Sequence, residues 1–209
     1  MTPANEHGAV LHRLHAVLQA EDGLLAASLR TPAPYWERDT VFAELVAAGT
    51  RTSRQPDEYA LLVESILEGY LLHYSNARIL DPPDDDQRLL AGDFLYAFGL
   101  TRLARLGDME AVHELADLIS LCAQAHAPGD GRAAAPWALT ASLWALSMVA
   151  VAEGSWAGAR QAKRLAREGG ADAALEVHGA ACARAEEVGA RPELERALIA
   201  FGAHTARAP

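Results

Sequence analysis

Asp84, Asp85 and Asp86, with Asp81 just before them, form the densest group of metal-ligating side chains in the sequence. Binding Mg²⁺ calls for carboxylate oxygens on one helical face, one turn apart. Pro82 and Pro83 interrupt any helix there, and three consecutive carboxylates point in different directions around a turn. The group therefore reads as an acidic loop and helix N-cap, with a metal site on Asp84, Asp85 and Asp86 as the weaker alternative. Glu110 and His113 make an E-x-x-H pair, the unit of di-iron bundles. Such sites take two of these units plus two further carboxylates, so this pair reads as surface. His73 lies in an apolar run and reads as a hydrogen-bonded core histidine ahead of a catalytic base. There is no G-x-S-x-G, P-loop or dinucleotide fingerprint, so no nucleophile is assigned. Cys122 and Cys182 are too few and too far apart for a zinc site or disulfide framework and read as small hydrophobes.

Helices must position these groups, since every long segment has helical spacing and none alternates. A first helical region is predicted over about Pro3–Arg30, broken by Pro32 and Pro34, and a short helix over Arg38–Ala48. Pro56 opens a strong helix in a tolerated first-turn position, with Asp57 and Glu58 suiting its positive end, and Asp81-Pro82-Pro83 stops it. Asp84 caps a helix running to Leu106, and Asp108 starts another reaching His126. The clearest loop is Pro128-Gly129-Asp130-Gly131. Helices then follow near Trp137–Val151, Trp156–Glu168, Ala171–Val188 and Pro192–Ala203. No linker divides residues 1–209, which read as one all-α domain, a bundle of eight or nine helices.

Composition narrows the function classes. Of 209 residues, 51% are hydrophobic and 22% charged, the balance of a globular chain, and the formal net charge is −10. That charge excludes a nucleic-acid binder, which needs clustered Lys and Arg, and argues against docking on an anionic membrane. Arg102, Arg105, Lys163, Arg164 and Arg167 read as solvated helix faces. The N-terminal residues show no secretory signal, which points to a cytoplasmic protein. Ala133–Ala152 approaches membrane-spanning length, yet Pro136, Thr140, Ser142 and Ser147 make it a buried core helix, not a membrane span.

The stretch Leu89-Leu90-Ala91-Gly92-Asp93-Phe94-Leu95-Tyr96-Ala97-Phe98-Gly99-Leu100, continued by Leu103-Ala104-Arg105-Leu106-Gly107-Asp108, resembles one helix of the trans-prenyl diphosphate synthases. That helix carries an L-A-G-D-x-L/F segment and ends in an L-G-D-type turn. Physically, Gly92 lets a neighbouring helix approach closely, and Asp93 can meet a hydrogen-bond need inside a packed bundle. Leu71-Leu72-His73-Tyr74-Ser75 is similar to the family's L-I-H-x-x-S segment, which leads into its first aspartate-rich motif. The resemblance covers about Tyr59 to Ala125 and implies a bundle of isoprenoid-synthase type.

Active members hold Mg²⁺ on two aspartate-rich motifs. Here Arg78, Ile79 and Leu80 stand where the first would be, and none can ligate Mg²⁺. Asp172, Glu176, Glu186 and Glu187 do not form the second. The chain is most similar to the small, non-catalytic subunits of heteromeric heptaprenyl or hexaprenyl diphosphate synthases. That implies a chain without a bound cofactor, beside a catalytic prenyl diphosphate synthase subunit that carries the Mg²⁺ and elongates an isoprenoid diphosphate. The alternative is a stand-alone, self-associating helical binding or scaffold protein that kept the fold without prenyltransferase activity. The resemblance places His73, Ser75, Phe94 and Phe98 at a substrate or tunnel surface, and Gly92, Asp93, Tyr96 and Leu100 at the subunit interface. Neighbours two apart on a helix diverge by roughly 200°, so some of the Phe94, Tyr96, Phe98 and Leu100 surface is expected to stay exposed. Trp137, Trp144 and Trp156 with Leu139, Leu143, Leu146 and Met148 could line an isoprenoid pocket, but helical spacing reads as core.

Overall fold

A computed structural model describes residues 10–21, 23–34, 36, 40–127, 136–170 and 172–206. Among these residues ten helices follow in chain order: α1 Val10–Gln19, α2 Gly23–Ala27, α3 Ala43–Ala47, α4 Pro56–Tyr74, α5 Asp85–Arg105, α6 Met109–His126, α7 Pro136–Glu153, α8 Ala157–Glu168, α9 Ala173–Glu187 and α10 Arg191–Thr205. Among the described residues the only extended pairing is an isolated antiparallel bridge between Leu29 and Leu80. This is the all-α multi-helix bundle that the apolar spacing predicts. No helix among the described residues is long and apolar enough to cross a membrane.

Local chemistry sets most helix ends. Asp84 and Asp108 each accept a hydrogen bond from the backbone N–H three residues on, Gln87 at 2.8 Å and Ala111 at 3.0 Å. Pro56 occupies the first turn of α4. Gly169 closes α8 in the left-handed conformation, which costs a residue without Cβ nothing. Three expectations are corrected. The first helical region divides, because Gly23 at φ 72° turns the chain between α1 and α2. Of the predicted Arg38–Ala48 helix, Ala43–Ala47 is helical and residues 40–42 are not, while Arg38 and Asp39 lie outside the described residues. Helix α4 ends at Tyr74, not at Asp81, and residues 76–83 run back along the bundle. Pro3–Ala9 and the Pro128-Gly129-Asp130-Gly131 loop lie outside the described residues.

Two helices are enclosed on every side. All residues from Tyr59 to Leu72 on α4 and from Ser142 to Ala152 on α7 are buried. Leu62, Ile66 and Tyr70 of α4 pack into a core shared with α6, α7, α9 and α10, while Ala60, Leu61 and Leu72 meet Leu11, Leu14 and Leu18 of α1 and Leu95 of α5. Aromatic rings join the layers: Phe42 stacks on Trp144 at 5.4 Å, and Tyr70 on Phe201 at 5.8 Å. Leu143, Trp144, Leu146 and Met148 are all core, with Trp137, Leu139 and Trp156 half-buried against it.

Candidate functional site

Helices α4 and α5 form the most extensive helix pair in the bundle, and their approach rests on three glycines. A Cβ on Gly69 would lie 3.0 Å from the Gly92 carbonyl oxygen. One on Gly92 would lie 2.7 Å from His73 Nε2, and one on Gly99 would lie 2.5 Å from Ile66 Cγ1. Gly92 thus permits the close approach expected of it, and the space beyond it is filled by the His73 ring. That ring stacks on Tyr96 with centroids 5.2 Å apart. His73 Nε2 stands 3.2 Å from Asp93 Oδ1, near enough for attraction but out of line for a hydrogen bond. Burial pushes the imidazole below its ordinary value, against the pull of Asp93. Asp93 itself is 70% exposed; it sits at the rim and not inside the bundle, which corrects that expectation. Gly92, Asp93, Tyr96 and His73 therefore come together as one cluster, with Tyr96 turned towards α4.

The segment after α4 explains why that helix stops early. Arg78 is fully buried and binds Glu64 through Nη1 (2.6 Å to Oε2) and Glu68 through Nε (3.0 Å to Oε2). Glu64 Oε1 also accepts hydrogen bonds from the N–H groups of Val41, Phe42 and Ala43 at 2.8, 2.7 and 2.9 Å. Glu68 Oε1 accepts from Ile79 N at 2.7 Å and Leu80 N at 3.3 Å. Burial alone would weaken the guanidinium's hold on its proton, but the two carboxylates outweigh that and keep Arg78 charged. Glu64 and Glu68 have the one-turn, same-face spacing that a magnesium site needs. Sequence reading passed over them because they lie in an apolar run and their partners are distant. Every oxygen is already committed to a protein donor, so the pair is a structural staple. Arg78, Ile79 and Leu80 are all buried and offer no Mg²⁺ ligands, so the family's first metal site does not fit these residues.

Other candidates fall in separate places. Asp84 is spent as an N-cap, Asp85 faces Arg88 at 3.7 Å, and Asp81 pairs with Arg30 at 3.0 Å. No group of three acidic, histidine or cysteine residues that could hold a metal ion occurs among the described residues. Glu110 accepts from Ser155 N at 2.8 Å, and both Glu110 and His113 are exposed, as a surface pair should be. Ser75 donates to the His204 carbonyl at 2.8 Å and caps α4, so it tethers α10. Lys163 corrects the expectation of solvated basic faces: it is buried, paired with Glu114, and 3.6 Å from Asp117. Cys122 is buried, its thiol pushed up by burial. Beside it Tyr70 Oη lies 3.0 Å from His126 Nε2, and Tyr74 stacks on His126 at 4.1 Å. Burial depresses the His126 imidazole.

The face of α5 opposite α4 is uncovered. Leu89 is 44% and Leu90 61% exposed, and Asp86, Asp93, Ala97, Thr101 and Ala104 are exposed with them. Phe94, Tyr96, Phe98 and Leu100 are each half-buried, so part of that surface stays accessible, and Leu89 and Leu90 are more exposed than any of them. Phe94 and Phe98 line a groove of about 570 Å³ beside Val17 of α1 and Ala20 just after it, with Arg102 and Arg105 at its end.

No family model, no curated protein and no solved structure matches this chain.

Proposed function

We propose that this protein is a non-catalytic helical subunit of a heteromeric polyprenyl diphosphate synthase, docking through the outer face of α5. The observation that carries this reading is the combination on one helix pair: a glycine-lined α4–α5 crossing with the L-A-G-D segment, and an outer face on which Leu89 and Leu90 are exposed. Exposed apolar area of this kind marks a protein interface. The commitment of Glu64 and Glu68 to Arg78 supports a role without chemistry of its own, since it consumes the carboxylate pair with metal-ligand spacing. In this reading a catalytic synthase subunit carries the Mg²⁺ and elongates the isoprenoid diphosphate. This chain completes the dimer and shapes the tunnel that sets product length.

The test is co-expression with a synthase whose aspartate-rich motifs are intact, followed by affinity capture and an isopentenyl transfer assay. Capture and elongation by the pair, with neither chain elongating alone, is the expected result. Leu90→Glu should abolish capture while the helical signal holds. Tyr96→Glu is the wrong probe, because that ring packs against Gly69 and His73 and a charge there would destabilise the fold. Elongation by the purified chain alone would overturn the proposal.

A further inference from the structure

Helix α9 carries a glycine that its packing does not explain. A Cβ on Gly179 would meet nothing within 4 Å, unlike one on Gly69, Gly92 or Gly99, yet glycine is among the least favourable residues inside a helix. What Gly179 leaves open is the ground beside a sulfur. Cys182 follows it by three residues, so the two share a face, with about 5–6 Å between their Cβ positions. His178 precedes Cys182 by one turn, and its Nε2 lies 3.3 Å from Cys182 Sγ. Both side chains are half-buried, and Leu175, a turn before Gly179, is 70% exposed. The Arg191 guanidinium, at the start of α10, is within electrostatic range of Cys182 and Glu186 and is hydrogen-bonded to Glu195 at 2.7 Å. Cys122, by contrast, is buried in α6.

We propose that Cys182, with His178 as its base and the open ground over Gly179 as its approach, is a site of reversible thiolation by low-molecular-weight disulfides. A thiol and an imidazole within hydrogen-bond reach are the nucleophile–base arrangement of cysteine chemistry. In the exchange Cys182 passes its S–H proton to His178 Nε2, and its sulfur attacks one sulfur of the disulfide. A bond forms to that sulfur as the old S–S bond breaks. The departing sulfur leaves as a thiolate and takes the proton from His178. The disulfide is the only oxidant needed: the protein thiol is oxidised as one half of the small molecule is reduced to a free thiol. A half-buried sulfur admits a small disulfide more readily than one held on another protein's surface. Buried Cys122 cannot present its sulfur to the product, so the mixed disulfide persists until a second small thiol attacks it.

Charged groups on α9 and the helices beside it are committed elsewhere. Arg184 lies over the Trp156 ring and pairs with Glu187, Lys163 pairs with Glu114, Arg167 with Asp117, and Glu153 accepts from Thr50. His178 is therefore the base at the sulfur, with Arg191 and Glu186 acting at longer range. The site is independent of the α5 docking surface. It leaves the reading as a small hydrophobe to Cys122 and gives Cys182 a chemistry of its own.

The test treats the purified, reduced full chain with 2-hydroxyethyl disulfide and follows the adduct by intact mass and peptide mapping. A single adduct should form, on Cys182, and dithiothreitol should remove it. At pH 7 it should form faster than on the same cysteine in the urea-unfolded chain. His178→Gln should slow it roughly tenfold or more at pH 7, the scale of a general base. That variant should match wild type at pH 10, where the thiol, ordinarily near 8.5, ionises without help. Gly179→Leu fills the open ground and should slow the reaction roughly tenfold while leaving the urea midpoint no lower. First modification at Cys122, or a rate no greater than in the unfolded chain, would overturn the proposal. So would a His178→Gln protein that is equally fast at pH 7 or equally impaired at pH 10, or a Gly179→Leu protein as reactive as wild type. Failure to capture a synthase would remove the proposed function and leave this site standing.

Discussion

Replacing Arg78 with methionine tests the staple that sets the path of the chain between α4 and α5. The guanidinium is 1% exposed and its two glutamate partners are fully buried. Arg78→Met keeps the volume and removes the positive charge bonded to Glu64 and Glu68. Each Oε2 then loses its Arg78 donor in a place water does not reach. Removing one partner of a buried ion pair costs about 3–5 kcal/mol, against a whole-domain stability of about 5–15 kcal/mol. For a chain of this size that corresponds to a fall in Tm of roughly 6–20 °C. The reasoning blames stranded charge and not lost packing, so it makes a second demand. The triple variant Arg78→Met, Glu64→Gln, Glu68→Gln retains side-chain carbonyl oxygens as acceptors for the N–H groups of Val41, Phe42, Ala43, Ile79 and Leu80 without burying negative charge. It should recover most of the loss. Urea denaturation of the three proteins, checked by calorimetry, gives the comparison. A cost below 1 kcal/mol for Arg78→Met, or a triple variant no more stable than the single, would refute it.

Gly92→Ala should cost about 1–3 kcal/mol by overpacking, because the new Cβ meets His73 and the Gly69 carbonyl. Gly179→Ala, with open space around it on α9, should instead gain up to about 1 kcal/mol, both read from urea midpoints. Burial alone would raise the Asp108 carboxyl, but hydrogen bonds from Tyr59, Ala111 N and Arg51 outweigh it and hold it below the usual range. A depressed acid stabilises above its unfolded value, near 4, and loses that stabilisation as pH falls through its folded value. Asp108→Asn should therefore be less stable than wild type at pH 7, with the gap closing towards pH 3; an equal gap at both would refute it. The Tyr59 hydroxyl, pushed up to about 12 by burial and by Asp108, should stay protonated in an ultraviolet titration to pH 11. NMR titration should put His73 and His126 below the ordinary histidine midpoint near 6.5, with Asp93→Asn lowering His73 further; a midpoint above 6.5 for either would contradict the burial argument.

Local chemistry made much of the fold legible in the chain itself. Asp84 and Asp108 cap helices because a short carboxylate can reach the N–H three residues on, whatever surrounds it. Pro56 and Gly169 act through their own backbone preferences, and the 3.6-residue spacing of leucines shows which stretches are helical. Gly92 could be read as a crossing point because a helix interior has few other uses for glycine. Tertiary packing decided the rest. On α7 most positions are apolar and on α4 Glu64, Ser65 and Glu68 stand among the leucines, so periodicity could not show that both helices are enclosed all round. On α5 one side stays bare, because no helix among the described residues packs there; exposure of Leu90 is a fact about neighbours that its own sequence cannot carry. Glu64, Glu68 and Arg78 broke the rule that charges stay outside, and only their convergence from two segments makes each tolerable. That convergence also ended α4 at Tyr74, since Glu68 draws the N–H groups of Ile79 and Leu80 back onto the bundle before the prolines are reached.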